Sequence, residues 1–577
     1  MVLRFRSPVA HPDRRGYRRE LGVLALTFVS LGSIIGSGWL LGALTAATSA
    51  GGASILSWLL AGGTIVLLAL VHAELGAAYP LAGGTGRWPR LAFGSLSGFT
   101  AGWVAWLQAV TLAPIEVEAA LGYLDHKWYG LINDAGALTS FGLAVASALM
   151  LLFTIINILG VRWLADSNTI TVFWKIAVPV LTMIVLIWAS FRVSNFTAGG
   201  GFAPYGAHGV FAALPLGIVF ALQGFEQAAQ MAGEARDPQR NVPRAVIGSV
   251  IVGTLLYVVL EIAFIGALRP ANLTNGWANP VGKGDFGPYA TLATGLGLGW
   301  LAVILYIDAF ISPAGTGLVN VGVSARLAYA LGHAGYVPRG VSRMSRRGVP
   351  YTSIILAFIV GLICFLPFPS WQSLVGLITS ATVIMYAFAP ITLLALRKAD
   401  PHRPRPYRVP AANALAPLAF IAANEIIYWT PWATVAKLML AVAAGYLLFG
   451  IAYALGRPIE RPPLDAQSLT WILPWLTGLT LISYLGQYGG IKLIPPWIDL
   501  AVVAAFSLLI CALAVQLRLP TQRVTVTIAA DLGTLHPHPD PETHITPPKL
   551  LDAQDTANNK PINQRSARST RSTGIQR

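Results

Sequence analysis

A protein built entirely of α-helices that crosses a membrane many times is the fold predicted by this chain of 577 residues. Three observations lead there. Hydrophobic residues make up 55% of the chain and charged ones only 11%, with a mean hydropathy of +0.63, a composition far from that of a soluble enzyme. Apolar windows long enough to cross about 30 Å of hydrocarbon recur along almost the whole length. Glycines gather in the middle of the first window, at Gly32, Gly36 and Gly38. Backbone without regular helical hydrogen bonds is tolerated at that depth only where it faces protein or a watery cavity.

Taken in order, the windows fall near 21–48, 52–79, 95–124, 137–160, 166–190, 210–232, 245–268, 300–331, 350–367, 372–396, 411–430, 433–455, 469–489 and 495–517. That is fourteen helices in one integral unit, preceded by a basic N-tail over 1–20 and followed by a tail over 520–577 expected to be disordered. No cleavable signal is expected, because the first apolar run is too long and lacks a small-residue cleavage pattern.

A net charge of +15 could suggest a nucleic-acid partner, but its distribution argues for topology. Most of the 39 Lys and Arg residues fall in the N-tail, in the loops after even-numbered spans and in the C-tail. The opposite side keeps only Lys127, Arg192, Arg269, Lys283, Lys437 and Lys492. An excess of positive charge marks the cytoplasmic side, so both termini are expected in the cytoplasm of a multi-pass protein of the cell membrane.

One basic residue lies inside a span. Lys175 is about ten residues, roughly 15 Å, into the fifth. A lysine at that depth should face the bundle interior, where it either exchanges a proton or stays fixed against helix-end carbonyls. The break at Gly32 to Gly38 and a second at Gly224-Phe225-Glu226-Gln227 in span six both reach the midplane. Ser312, Pro313, Gly315 and Thr316 lie at similar depth in span eight. Spans one and six are five helices apart and run in opposite directions, as two inverted five-helix repeats require.

In this order the motifs resemble a known family. GSIIGSG in span one, AELGAAYPLAGGTGRW after span two, the mid-membrane lysine, GFEQAAQMAGEARDPQRNVPRA through span six and SARLAYALGHAGYVPRGVSRMSRRGVP after span eight are similar to those of the amino acid–polyamine–organocation permeases. The likeness covers roughly residues 20 to 400. It implies a LeuT-like five-plus-five inverted-repeat transport core over 21–400, with broken helices one and six and four extra C-terminal helices over 401–519. It implies substrate binding by Ser33, Gly36, Ser37 and Gly38, whose backbone N–H groups would hold the carboxylate of an amino acid. Phe220, Leu222, Gly224 and Phe225 would form the span-six wall, with open carbonyls for the ammonium. Lys175 would bridge Gly32 to Ser312 or Thr316 where related transporters bind sodium, which implies coupling to protons.

Other residues carry weaker readings. Glu226 either carries a proton or caps freed N–H groups, and Asp308 is a further proton candidate. Glu74 and Glu234 are expected in structural pairs with Arg87 or Arg236. Glu116, Glu118 and Glu261 read as a solvated outer vestibule, and Gln108 and Trp106 either line the pocket or pack. Gly282-Lys283 lacks the first glycine of a phosphate loop, Trp277 standing in its place. Cys364 and Cys511 read as small core residues. His536, His538, Asp540 and His544 lie in the polar tail, where disorder is the simpler reading than a metal site. Arg565 to Arg577 could touch anionic lipid.

No cofactor or metal is implied, and no array of acid, base and metal ligands marks an enzyme. The expected function is therefore secondary transport of an amino acid, by proton symport, with acidic amino acids as one candidate class. Exchange, and a non-transporting sensor on the same scaffold, stay open.

Overall fold

The computed structural model describes residues 20–81, 83–125, 130–133, 136–159, 163–282, 287–345, 349–366, 370–456 and 461–533. The chain divides into a unit over Met1–Leu535 and a tail over His536–Arg577. The N-tail before Glu20, Lys283, the four polar residues from His536 to His544 and the stretch Arg565 to Arg577 lie outside the described residues.

The elements follow in order: α1 (Val23–Ile34), α2 (Ser37–Ala50), α3 (Ser54–Ala78), α4 (Gly84–Phe93), α5 (Ser95–Leu124), α6 (Ser140–Leu159) and α7 (Trp163–Ala189). Span six is assembled from α8 (Gly206–Ala212), a wide turn over Leu214–Ile218, α9 (Val219–Ala221) and α10 (Gln227–Gln230). Then come α11 (Pro238–Ala267), α12 (Pro270–Leu273), α13 (Pro288–Gly295), α14 (Gly299–His333), α15 (Tyr351–Cys364) and α16 (Trp371–Ala399). The C-terminal set is α17 (Ala412–Tyr428), α18 (Trp432–Leu455), α19 (Leu469–Leu485), α20 (Ile498–Gln516) and α21 (Thr521–Gly533).

Among the described residues, ten stretches are long and apolar enough to cross a membrane. The remaining predicted windows fall on the shorter apolar helices Val23–Ile34, Gly206–Ala221, Tyr351–Cys364 and Ala412–Tyr428. The protein is an all-α, multi-pass membrane protein. Two packing groups meet at the centre. In one, α11 lies against α3 and α1, and in the other α14 lies against α5, while α16 packs on α5 and on α17. The heaviest burial is at α16, whose membrane-length window is wholly enclosed by protein, consistent with a helix that sees no lipid.

Two expectations need correction here. The tail expected to be disordered from 520 begins with a helix, α21, which is held on α4. Asp531 lies 3.5 Å from Arg87 and 3.7 Å from Arg90, and Leu519 N–H donates to Ala92 O. Arg87 is thus engaged by the tail, and Glu74 pairs elsewhere. Its buried carboxylate accepts two bonds from Arg397, at 2.8 and 2.5 Å, and one from Val409 N–H at 2.7 Å. The fork of arginine matches a carboxylate that has left water. Glu234, for its part, feels the charge of Arg326.

Candidate functional site

Span one breaks at Ile35-Gly36, between the last residue of α1 and the first of α2. Gly32 and Ser33 therefore belong to the end of α1, and Ser37 and Gly38 open α2. Freed carbonyls on the α1 side are met by side chains from other helices. Tyr257 O–H donates to Ile34 O at 2.9 Å, and Lys175 Nζ donates to Gly32 O at 3.2 Å. The same ammonium donates to Thr316 Oγ1 at 2.6 Å, so Lys175 spans α1 and α14. Ser312 turns the other way, its hydroxyl donating to Asp308 at 2.6 Å.

The α2 side presents N–H groups, the end of a helix that attracts an anion. A carboxyl group already lies there. Glu116 of α5 accepts the Ser37 N–H at 3.0 Å, and a Cβ on Gly36 would stand 2.8 Å from its Oε1. This corrects the reading of Glu116 as a vestibule residue, for it is 1% exposed. Glu118 and Glu261 are also buried rather than solvated. Glu261 takes Ser54 O–H and, at 3.1 Å, Trp58 N–H; both oxygens of Glu118 are without a partner among the described residues.

Span six turns at Gly224, whose φ of +111 is open to glycine at low cost. A Cβ there would also come within 2.6 Å of Ser33 Oγ. Glu226 closes the turn: it accepts Gly224 N–H at 3.0 Å and Tyr386 O–H at 2.5 Å. Ser30 ties the two breaks, donating to Phe225 O at 3.0 Å and accepting Ala228 N–H at 3.1 Å. Phe225 packs edge-on to His72 and against Tyr386, facing the core rather than the pocket, and Leu222 is likewise buried in the core cluster.

A narrow cavity joins these groups. It is lined by Ser33, Gly36, Gly38, Gln108, Glu116 and Phe220, with Gln223, Gly224 and Glu226 on the span-six side and Thr316 and Asn320 from α14. The polar atoms of Gln223 are buried with no hydrogen-bond partner among the described residues. Trp106 packs on Trp103 instead. On the α2 side Phe220 lies edge-on to Trp371 at 5.8 Å, and Trp371 N–H donates to Ser37 Oγ at 3.2 Å. On the α1 side Ser33, Gln227, Thr316 and Asn320 also line a second cavity, of about 150 Å³, bounded as well by Val29, Gly32, Lys175 and Val323.

Sequence reasoning missed Glu116, Gln223, Tyr257, Tyr386 and Trp371 as neighbours of the breaks. The signal for the first was present: Gln108, Leu112 and Glu116 recur every four residues and so share one face of α5.

Membrane-length helices around two facing breaks, with a polar cavity between them, have the build of a membrane transporter. The chain belongs to the amino acid permease family, whose model matches residues 21–437, and it is a transporter rather than an enzyme. It is 35% identical over 500 residues to the glutamate/serine transporter AimA of Bacillus subtilis, covering 85% of this chain and 92% of that one. It is also 35% identical over 500 residues to the aspartate-proton symporter of the same organism, covering 86% and 95%. The branched-chain amino acid permease BcaP is 25% identical over 460 residues, covering 76% and 94%.

Proposed function

We propose that this chain moves an acidic amino acid, aspartate or glutamate, across the cell membrane by proton-coupled symport with alternating access. The observation that carries the reading is Glu116 on the Ser37 N–H. A substrate carboxylate drawn to the start of α2 must compete with Glu116 for that donor. Two carboxylates on one site cannot both stay ionised, so the displaced Glu116 takes a proton as the substrate arrives. Binding of amino acid and of proton then become one event.

Lys175 supplies the second part. Its ammonium ties α1 to α14, and the opening of α1 requires that tie to break. Glu226, held by Tyr386 and Gly224, caps the turn of span six in this reading and is not the coupling group. Gln223 and Gln108 offer donors to a polar side chain. The names of two relatives, a glutamate/serine transporter and an aspartate-proton symporter, support both the acidic substrate and the proton. With both termini in the cytoplasm, the cavity beside α1 is the inward exit.

Uptake by the purified chain in liposomes, challenged by each of the twenty amino acids with and without an imposed pH gradient, tests this. Aspartate and glutamate should compete best, and accumulation should need protons to flow with the substrate. Uptake that requires preloaded amino acid and ignores the gradient would replace symport by exchange.

A further inference from the structure

A third cavity, of about 300 Å³, lies away from the helix breaks, between the start of α8 and the connection from α19 to α20. That is the volume at which small-molecule sites begin. Its walls are aromatic. Tyr205, His208 and Phe211 come from the start of span six, and Tyr488 and Trp497 from the α19–α20 connection. His208 lies flat on Tyr488, ring centres 4.5 Å apart and planes 4° from parallel, while Phe211 meets Trp497 edge-on.

Two features set this cavity apart from an ordinary apolar crevice. Trp497 is 65% exposed and has a φ of +72, a conformation that a bulky residue adopts only under strain. The strain places an indole on the rim where packing does not demand it. The lining also contains a carboxylate, Asp499, which is only 3% exposed. Its Oδ2 accepts Tyr428 O–H at 2.6 Å. Behind it stands Glu425, near enough to act on Asp499 and Tyr488, with Oε2 buried and without a hydrogen-bond partner. Among the described residues neither acid has an ion pair with Lys, Arg or His. A buried carboxyl group in the lining with no basic partner, backed by a second buried acid and set beside π-faces, forms a surface complementary to a cation that is also greasy.

We propose that this cavity binds a compact organic ammonium group, seated against Tyr205, Trp497 and Tyr488 with its charge toward Asp499, at a site separate from the transport pocket. The chemistry is shared by a free alkylammonium compound and by the headgroup of an ethanolamine or choline lipid.

The test uses the full chain in nanodiscs of phosphatidylglycerol alone, with labelled choline as probe. Saturable binding is expected, roughly tenfold weaker in Asp499→Asn and in Trp497→Ala, the scale of a desolvated cation–π contact. Trp497 is exposed enough that its variant should fold, as an unchanged melting temperature would show. The neutral carbon isostere of choline should not compete. Absence of saturable binding, equal binding by Trp497→Ala, or equal competition by the neutral isostere overturns the proposal. Adding ethanolamine or choline lipids to the discs separates the sources: loss of probe binding assigns the site to a headgroup, and unchanged binding assigns it to a free amine. None of these readouts depends on transport, so failure here and failure of the symport reading are distinguishable.

Discussion

Glu116 and Ser37 sit on different helices, 79 residues apart in the chain, yet the carboxylate of one accepts the backbone N–H of the other at 3.0 Å. A hydrogen bond to a backbone N–H is worth about 0.5–1.5 kcal/mol, and more when the acceptor is ionised, so Glu116 is a competitor for any substrate carboxylate at the start of α2. Glu116→Gln keeps an oxygen for the donor but can neither repel the substrate as an anion nor take up a proton. The variant should bind amino acid roughly tenfold more tightly or better and still exchange it across the membrane, while gradient-driven accumulation is lost. Measuring counterflow and net uptake in the same vesicles checks this, and retained accumulation would remove Glu116 from the coupling.

The three glycines at the breaks should respond differently, because different atoms face them. A Cβ on Gly38 would stand 2.7 Å from Ala221 Cα, which is backbone and cannot yield, whereas on Gly36 it would meet the movable end of Glu116 at 2.8 Å. Gly38→Ala should therefore lower the melting temperature and abolish binding of labelled amino acid. Gly36→Ala should stay folded and shift the affinity, with Gly36→Val losing binding altogether. Gly224→Ala, at positive φ, should cost about 1–3 kcal/mol. Equal effects at all three positions would contradict this geometry.

The breaks were legible because glycine spacing within an apolar window is a local record of backbone that leaves the helix. Lys175 was legible for a similar reason, since a charge at mid-span has few tolerable surroundings. The partners of the breaks were not, and Glu116 shows why. Counting inward from the start of span three placed it near the outer surface, but α5 is 30 residues long, about 45 Å at 1.5 Å per residue. A helix that overruns the hydrocarbon carries its middle far from its first residue. Glu74 was misassigned to Arg87 because Arg397 lies 323 residues away in sequence, and only tertiary packing brings them together. The helix α21 escaped notice because its threonines and charges read as a polar tail, and its order depends on contact with α4.

The membrane orientation rests on charge alone, and it fixes which way the cavity beside α1 faces. Cysteines at Asn275 and Arg343, both exposed, sit on loops assigned to opposite sides. In intact cells an impermeant thiol reagent should label the first and spare the second, and Arg405→Cys should behave like Arg343→Cys. Labelling of the Arg343 site alone would invert the protein and make the cavity beside α1 outward-facing.

Lys175 separates two schemes of coupling. With its ammonium on Gly32 O and on Thr316 Oγ1, Lys175→Ala leaves both acceptors without that donor, at up to about 1–3 kcal/mol each, and removes a positive charge that acts on Glu116. Transport should fall to a small residue and cease to depend on the proton gradient. Lys175→Arg distinguishes strut from switch, because a guanidinium holds its proton throughout. If release of the tie between α1 and α14 requires a proton to leave Lys175, the arginine variant should bind substrate yet fail to turn over. If the tie is a fixed strut and Glu116 alone carries the proton, Lys175→Arg should keep proton influx in step with substrate, while Glu116→Gln uncouples them. Thr316→Val provides the control, since it removes one acceptor and leaves the lysine in place. It should speed the opening of α1 under either scheme, so unchanged turnover in Thr316→Val would show that the tie does not limit the cycle. Simultaneous recording of substrate uptake and proton influx in vesicles for these variants decides between them.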